Sequence, residues 1–249
     1  MTEWTIGTIK KIKYWTKTLF SIILNAKTNT FIPGQFTKLA LKINGKKICR
    51  AYSYINCPQN KNHEFYISTI TNGKLSPFLY SLKEDDYIMI SKNATGVFTL
   101  NNIKSCENLW MLSTGTGIGP YLSILQDGNC FNMFKKIILI HSVRYINDHS
   151  YLYLVNNIKQ KYSNKFIFRT IVTRDSFKNN VTLKGYIPDL IKRGIIEKKI
   201  GIKINNDSHI MLCGNPNMIR ETISILEIDK NLSKNLKDKN GNITSEQYW

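Results

Sequence analysis

Leu109-Trp110-Met111-Leu112-Ser113-Thr114-Gly115-Thr116-Gly117-Ile118-Gly119-Pro120 is the stretch whose reading decides the fold of this 249-residue chain. An apolar run of strand length passes into three glycines within five residues, and residues 121–126 continue with a helical pattern. Strand, glycine turn and helix in that order form the start of a βαβ unit. Glycines let the backbone approach a phosphate closely, and a helix amino end with proline in its first turn offers N–H groups to an anion. Pro120 departs from the usual G-x-G-x-x-G spacing, so the same turn also fits a purely structural strand–helix connection.

Downstream, apolar runs at 137–142, 166–172 and 209–213 alternate with helical patterns, as in a parallel sheet with crossover helices. The run at 137–142 is followed by Val143-Arg144 and the next by Thr173-Arg174. An acidic residue at the end of the second strand would suit the ribose hydroxyls of NAD; arginines at two successive strand ends suit the 2′-phosphate of NADP instead. Both arginines could equally be solvated residues of a basic protein. Cys213-Gly214-Asn215-Pro216 turns the last apolar run into a helix reaching about residue 230. Cys213 is then either a small buried hydrophobe or a group facing the nicotinamide, and Gly214 beside it favours the second. The terminal Tyr248-Trp249 pair is expected to be docked.

Upstream the rhythm differs. Residues 6–12, 19–24, 35–43, 64–69 and 87–91 are short apolar or alternating runs broken by Gly, Pro and Asn, the pattern of a small antiparallel β-barrel. Residues 75–82 carry Leu75, Phe78, Leu79 and Leu82 at helical spacing and are expected to cap it. Arg50-Ala51-Tyr52-Ser53 sets a cation and an aromatic ring on one face of an extended segment, which suits a flavin dinucleotide. Four such residues would also fit an ordinary edge strand. The reading is therefore two domains: an antiparallel β-barrel FAD-binding domain over 1–100, then an α/β Rossmann-like parallel-sheet NADP-binding domain over 101–249, with a cleft between them.

Composition narrows the function classes. The five cysteines and four histidines are scattered with no C-x-x-C spacing, which suggests no metal site and no disulfide framework. No apolar run reaches the roughly 18 residues of a membrane helix, and the first residues lack a secretory pattern, so no membrane and a cytoplasmic location are expected. The net charge of +18 raises on-rates for acidic partners and phosphate ligands. The absence of a helix-turn-helix, zinc-finger or RNP-type signature argues against nucleic acid.

Arg50 to Ser53, Gly73-Lys74-Leu75-Ser76, Thr114 to Pro120, Cys213 to Pro216 and terminal Tyr248-Trp249, in this order, resemble a bacterial-type ferredoxin (flavodoxin)–NADP⁺ reductase over the whole chain. The resemblance implies that FAD is held by Arg50, Ala51, Tyr52, Ser53, Tyr66, Ile67, Ser68, Thr69, Lys74, Leu75, Ser76, Thr116, Tyr248 and Trp249. Tyr52 and Trp249 would cover the two faces of the flavin. It implies NADP(H) at Val143, Arg144, Thr173, Arg174, Lys184, Gly214 and Asn215. Ser53, Cys213 and Trp249 would stand at the reacting rings, where hydride passes between nicotinamide C4 and flavin N5 before single-electron exchange with acidic ferredoxin or flavodoxin. One departure stands out: the family's G-R-I-P run reads Gly185-Tyr186-Ile187-Pro188 here, which leaves Arg144 and Arg174, with Lys184 nearby, to favour NADP. A monomer is expected. The alternatives are the reductase component of another flavin electron-transfer system, such as an oxygenase, and a nucleotide- or nucleic-acid-binding regulator without redox activity.

Overall fold

The computed structural model describes residues 2–175, 183–236 and 238–248. They fall into two compact units, one running to Leu100 and including Gly119–Asp127, the other comprising Asn101–Ile118 and the residues from Gly128 onward.

In the first unit, β1 (Trp4–Tyr14), β2 (Leu19–Ala26), β3 (Phe36–Ile43), β4 (Lys46–Ser53), β5 (His63–Ser68) and β6 (Tyr87–Ser91) form one antiparallel sheet in the order β4-β3-β6-β1-β2-β5. The sheet curls until Tyr54, just past β4, bridges Phe65 of β5. The inward residues include Ile9, Phe20, Ile22, Leu39, Phe65 and Ile90, all buried, so period-two alternation fills the barrel. Helix α1 (Ser76–Tyr80) is shorter than the 75–82 pattern predicts; it ends at Ser81, and Leu75 and Leu79 plug the core. Helix α2 (Gly119–Asp127) also belongs to this unit: Ser123 Oγ donates to Asn56 O (2.7 Å) and Gln126 Nε2 to Ile55 O (2.6 Å).

In the second unit, β7 (Asn108–Thr114), β8 (Lys136–Val143), β9 (Phe166–Val172), β10 (Leu183–Lys184), β11 (Ser208–Gly214) and β12 (Ile243–Gln247) form a parallel sheet in the order β10-β9-β8-β7-β11-β12. Helices α3 (Cys130–Met133), α4 (Leu152–Lys161), α5 (Ile187–Lys192), α6 (Ile195–Ile200) and α7 (Pro216–Lys230) complete it. β7 and β11 are buried along nearly their whole length, as parallel strands covered on both faces must be. Chain order reverses at β7: β8 lies on one side of it and β11 on the other. Such a switch point leaves a crevice beyond the carboxyl ends of the two strands.

Among the described residues, no helix is long and apolar enough to cross a membrane.

Candidate functional site

At the switch point the two connections after β7 and β11 meet backbone to backbone. A Cβ on Gly117, in the 3₁₀ turn Gly115–Ile118, would lie 2.6 Å from Cys213 O and 2.9 Å from Gly214 Cα. Gly214 has φ +124°, and a Cβ there would strike Thr114 Oγ1. That hydroxyl also accepts the Asn215 N–H at 2.8 Å. Asn215 caps α7, its side-chain oxygen accepting from Asn217 N (2.9 Å) and Met218 N (3.2 Å). Its side-chain oxygen, backbone N–H and backbone carbonyl are thus occupied, and its amide nitrogen remains for a ligand. Thr116 is buried within the turn.

Cys213 is fully buried and pairs in register with Glu246 of β12. Burial, reinforced by the Glu246 charge, pushes its thiol well above the usual range, while a hydrogen bond from Tyr248 pulls the other way. The group stays a neutral thiol. Tyr248 also donates its N–H to Gly214 O at 3.0 Å, so Tyr248 is docked at the switch point. Trp249 lies outside the described residues.

Farther along the same sheet edge, the ends of β8 and β9 are tied together. Thr173 N–H donates to Val143 O (3.0 Å) and Arg174 N–H to Arg144 O (2.9 Å). Both arginine side chains are exposed, and among the described residues neither joins an ion pair with an acid. Lys184 pairs with Val172, which sets it at the end of the neighbouring β10, with Tyr186 exposed two residues later. Arg144 and Arg174 thus lie just beyond the ends of β8 and β9, and Lys184 ends β10.

In the barrel unit, Arg50 and Ala51 are exposed on β4, Tyr52 is half-buried and Ser53 is buried. Burial pushes the Tyr52 phenol up to about 12, with the Arg50 charge pulling the other way, which keeps it a neutral ring beside a cation. The Arg50 guanidinium donates to Cys49 O at 2.8 Å. On β5, Tyr66 and Ile67 are buried and Ser68 is half-buried. Ile67 and Leu75 point into the barrel core, so only their backbone is available to a ligand. Thr69 donates its N–H to Thr18 O, while its hydroxyl is buried without a hydrogen-bond partner among the described residues. Ser76 Oγ accepts the Ile70 N–H at 3.0 Å, and Lys74 is exposed.

Family models match both units: an oxidoreductase FAD-binding domain over residues 9–99 and an oxidoreductase NAD-binding domain over 111–223. The chain is 50% identical over 259 residues, covering all of both proteins, to a flavodoxin/ferredoxin–NADP reductase of Buchnera aphidicola subsp. Schizaphis graminum. It is 44% identical over 250 residues, again end to end, to the protein of that name from Escherichia coli. The chain belongs to the flavodoxin/ferredoxin–NADP reductase family. A crystal structure of a ferredoxin NADP⁺ reductase from Neisseria gonorrhoeae with bound FAD and NADP superposes with a TM-score of 0.91 at 28% identity, covering 99% of each chain.

Reading the sequence for this family did not single out two histidines. Scattered in sequence, His141 and His149 come into contact, their Nδ1 atoms 3.4 Å apart, and His141 Nε2 reaches Gly115 O at 2.9 Å. The one available signal was the position of His141 near the end of the second strand of the parallel sheet.

Proposed function

We propose that this protein moves electrons between NADPH and ferredoxin or flavodoxin through bound FAD. Identity of 44–50% over the full length to relatives bearing that name carries the reading.

The residues fit both ligands. Arg50, without an acidic partner among the described residues, suits a pyrophosphate, and the neutral Tyr52 ring on the same face of β4 suits a flat ring. The orphaned Thr69 hydroxyl suits a ligand that supplies its missing partner. We assign FAD to Arg50, Ala51, Tyr52, Ser53, Tyr66 to Thr69, Lys74 to Ser76, Thr116 and Tyr248. NADP(H) is assigned to Val143, Arg144, Thr173, Arg174, Lys184, Gly214 and Asn215, around a backbone cradle that a Cβ at residue 117 or 214 would fill. Residues 1–100 are thereby the FAD-binding domain and 101–249 the NADP-binding domain.

Bound FAD supplies hydride exchange with the nicotinamide and one-electron exchange with the carrier. The chain's own task is to align and to exclude water. Tyr52 offers an apolar face, Ser53 a hydroxyl on the adjoining strand position, and Cys213 a neutral thiol that adds no charge near a transferring hydride. The excess of 35 Lys and Arg over 17 Asp and Glu suits an acidic carrier. We further assign the protein to the cytoplasm as a monomer.

The purified protein is expected to carry flavin absorption bands, and to reduce ferredoxin or flavodoxin with NADPH faster than with NADH, at a rate that falls with salt. Absence of flavin bands and of FAD uptake would sink the oxidoreductase reading; equal use of NADH would remove the role of Arg144 and Arg174.

A further inference from the structure

We infer that His149 and His141 form an ordered hydrogen-bond relay that holds the Gly115 carbonyl and so aims the glycine turn at the pyridine nucleotide. Both are positioning residues, and this assignment rests on the NADPH-binding role proposed above.

The proton order follows from elementary valence. A carbonyl can only accept, so His141 Nε2, 2.9 Å from Gly115 O, carries the hydrogen. His141 is wholly buried and neutral, its imidazole lowered to about 3 by desolvation and by the neighbouring His149. A neutral ring has one N–H, which makes His141 Nδ1 an acceptor. The group facing it at 3.4 Å is His149 Nδ1, which must then donate. Burial likewise lowers His149, to about 4, so its Nε2 is left bare. That nitrogen is the one without a partner among the described residues.

The consequence for the site comes from peptide geometry. In a trans peptide the C=O of one residue and the N–H of the next point in opposite directions. Drawing the Gly115 carbonyl toward His141 therefore aims the Thr116 N–H away from it. Gly115 takes φ +54°, which leaves its conformation to be fixed by its surroundings. His149 is itself anchored: its N–H donates to Ile146 O (3.2 Å), Tyr145 N–H to Asp148 Oδ2 (3.2 Å), and Ile146 N–H to Asp175 Oδ2 (2.6 Å). The segment so held begins at Arg144. The relay thus connects the arginine assigned to the 2′-phosphate with the turn whose Gly117 lies in the cradle assigned to the same nucleotide.

Two measurements test this on the FAD-loaded protein. Long-range ¹H–¹⁵N correlation on histidine-labelled protein at pH 7 is expected to find His141 protonated on Nε2 and His149 on Nδ1. In steady-state kinetics, His149→Leu is expected to raise the KM for NADPH about tenfold, the size of one lost hydrogen bond to a buried group, with kcat and the flavin spectrum unchanged. His149→Asn, whose amide offers a donor near the Nδ1 position, is expected to recover most of that change. The opposite tautomers, a Leu variant with unaltered KM, or an Asn variant as impaired as Leu would each overturn the relay. If the tautomers are as stated but NADPH is not used at all, the functional reading falls and the relay's service to a nucleotide falls with it, while the proton order stands.

Discussion

The candidate residues of the two units are presented in contrasting ways. On β4, at the edge of the antiparallel sheet, they are side chains, the exposed Arg50 and the half-buried Tyr52. Beyond β7 and β11, in the middle of the parallel sheet, the candidate cradle is backbone, with residues 114–117 and 213–215 in direct contact and mostly buried. An edge side chain can be removed without disturbing the strand that carries it. A buried backbone contact has no such freedom, because any added atom must displace main chain.

The contrast can be broken most directly by Gly214→Ala. Its Cβ would meet Thr114 at an already left-handed φ of +124°, adding strain to overpacking, and a stability loss of about 3 kcal/mol is expected. A denaturant melt reads it, and a variant as stable as the parent would mean the cradle yields. Next in size, Arg50→Ala is expected to weaken FAD binding by roughly 10- to 100-fold, the worth of a charge-assisted hydrogen bond, and to leave the melting of the FAD-free protein unchanged. Titration of FAD into stripped protein checks the first part; a large drop in melting temperature would erase the distinction between the two regions.

The smallest effect sharpens the contrast through pH. His141, His149 and His209 all belong to the sheet unit, and desolvation lowers them to about 3, 4 and 4. Below the unfolded value of 6.5 the unfolded chain binds protons that the folded one refuses, so stability falls as pH drops from about 6.5 toward 4. Each imidazole contributes at most about 1.4 kcal/mol per pH unit to that slope. Replacing His209, whose Nε2 lies 2.9 Å from Thr244 Oγ1, with Gln is expected to flatten the slope by one histidine's share. An unchanged slope in stability measured across that range would show that this imidazole titrates alike in both states.

Much of this was legible in the sequence because the informative residues announce themselves locally. β7, β8 and β11 are built on continuous apolar runs, and Gly117 of the turn lies where backbone must meet backbone. β12 was not legible. Its Ile243-Thr244-Ser245-Glu246-Gln247 has one large apolar residue and owes its conformation to pairing with β11. Propensity carries no trace of a partner thirty residues upstream. The closeness of His141 and His149 escaped for a related reason: one is on a strand and the other follows a 3₁₀ turn, so no period links them. The capping role of Asn215, by contrast, is written in Asn-Pro at a helix start.

The bond from Asn215 N–H to Thr114 Oγ1 closes a span of 101 residues. Contacts so distant along the chain form against a large loop entropy and come late in folding, after local hairpins and neighbouring strands have paired. A chain caught before β11 inserts beside β7 would already hold its local hairpins, β1-β2 and β3-β4, and the β7-β8-β9 ladder, yet would lack the cradle altogether. Competence to take a nucleotide is therefore a property of the last stage of assembly, and nucleotide protection of partly folded chains would report that stage and no earlier one.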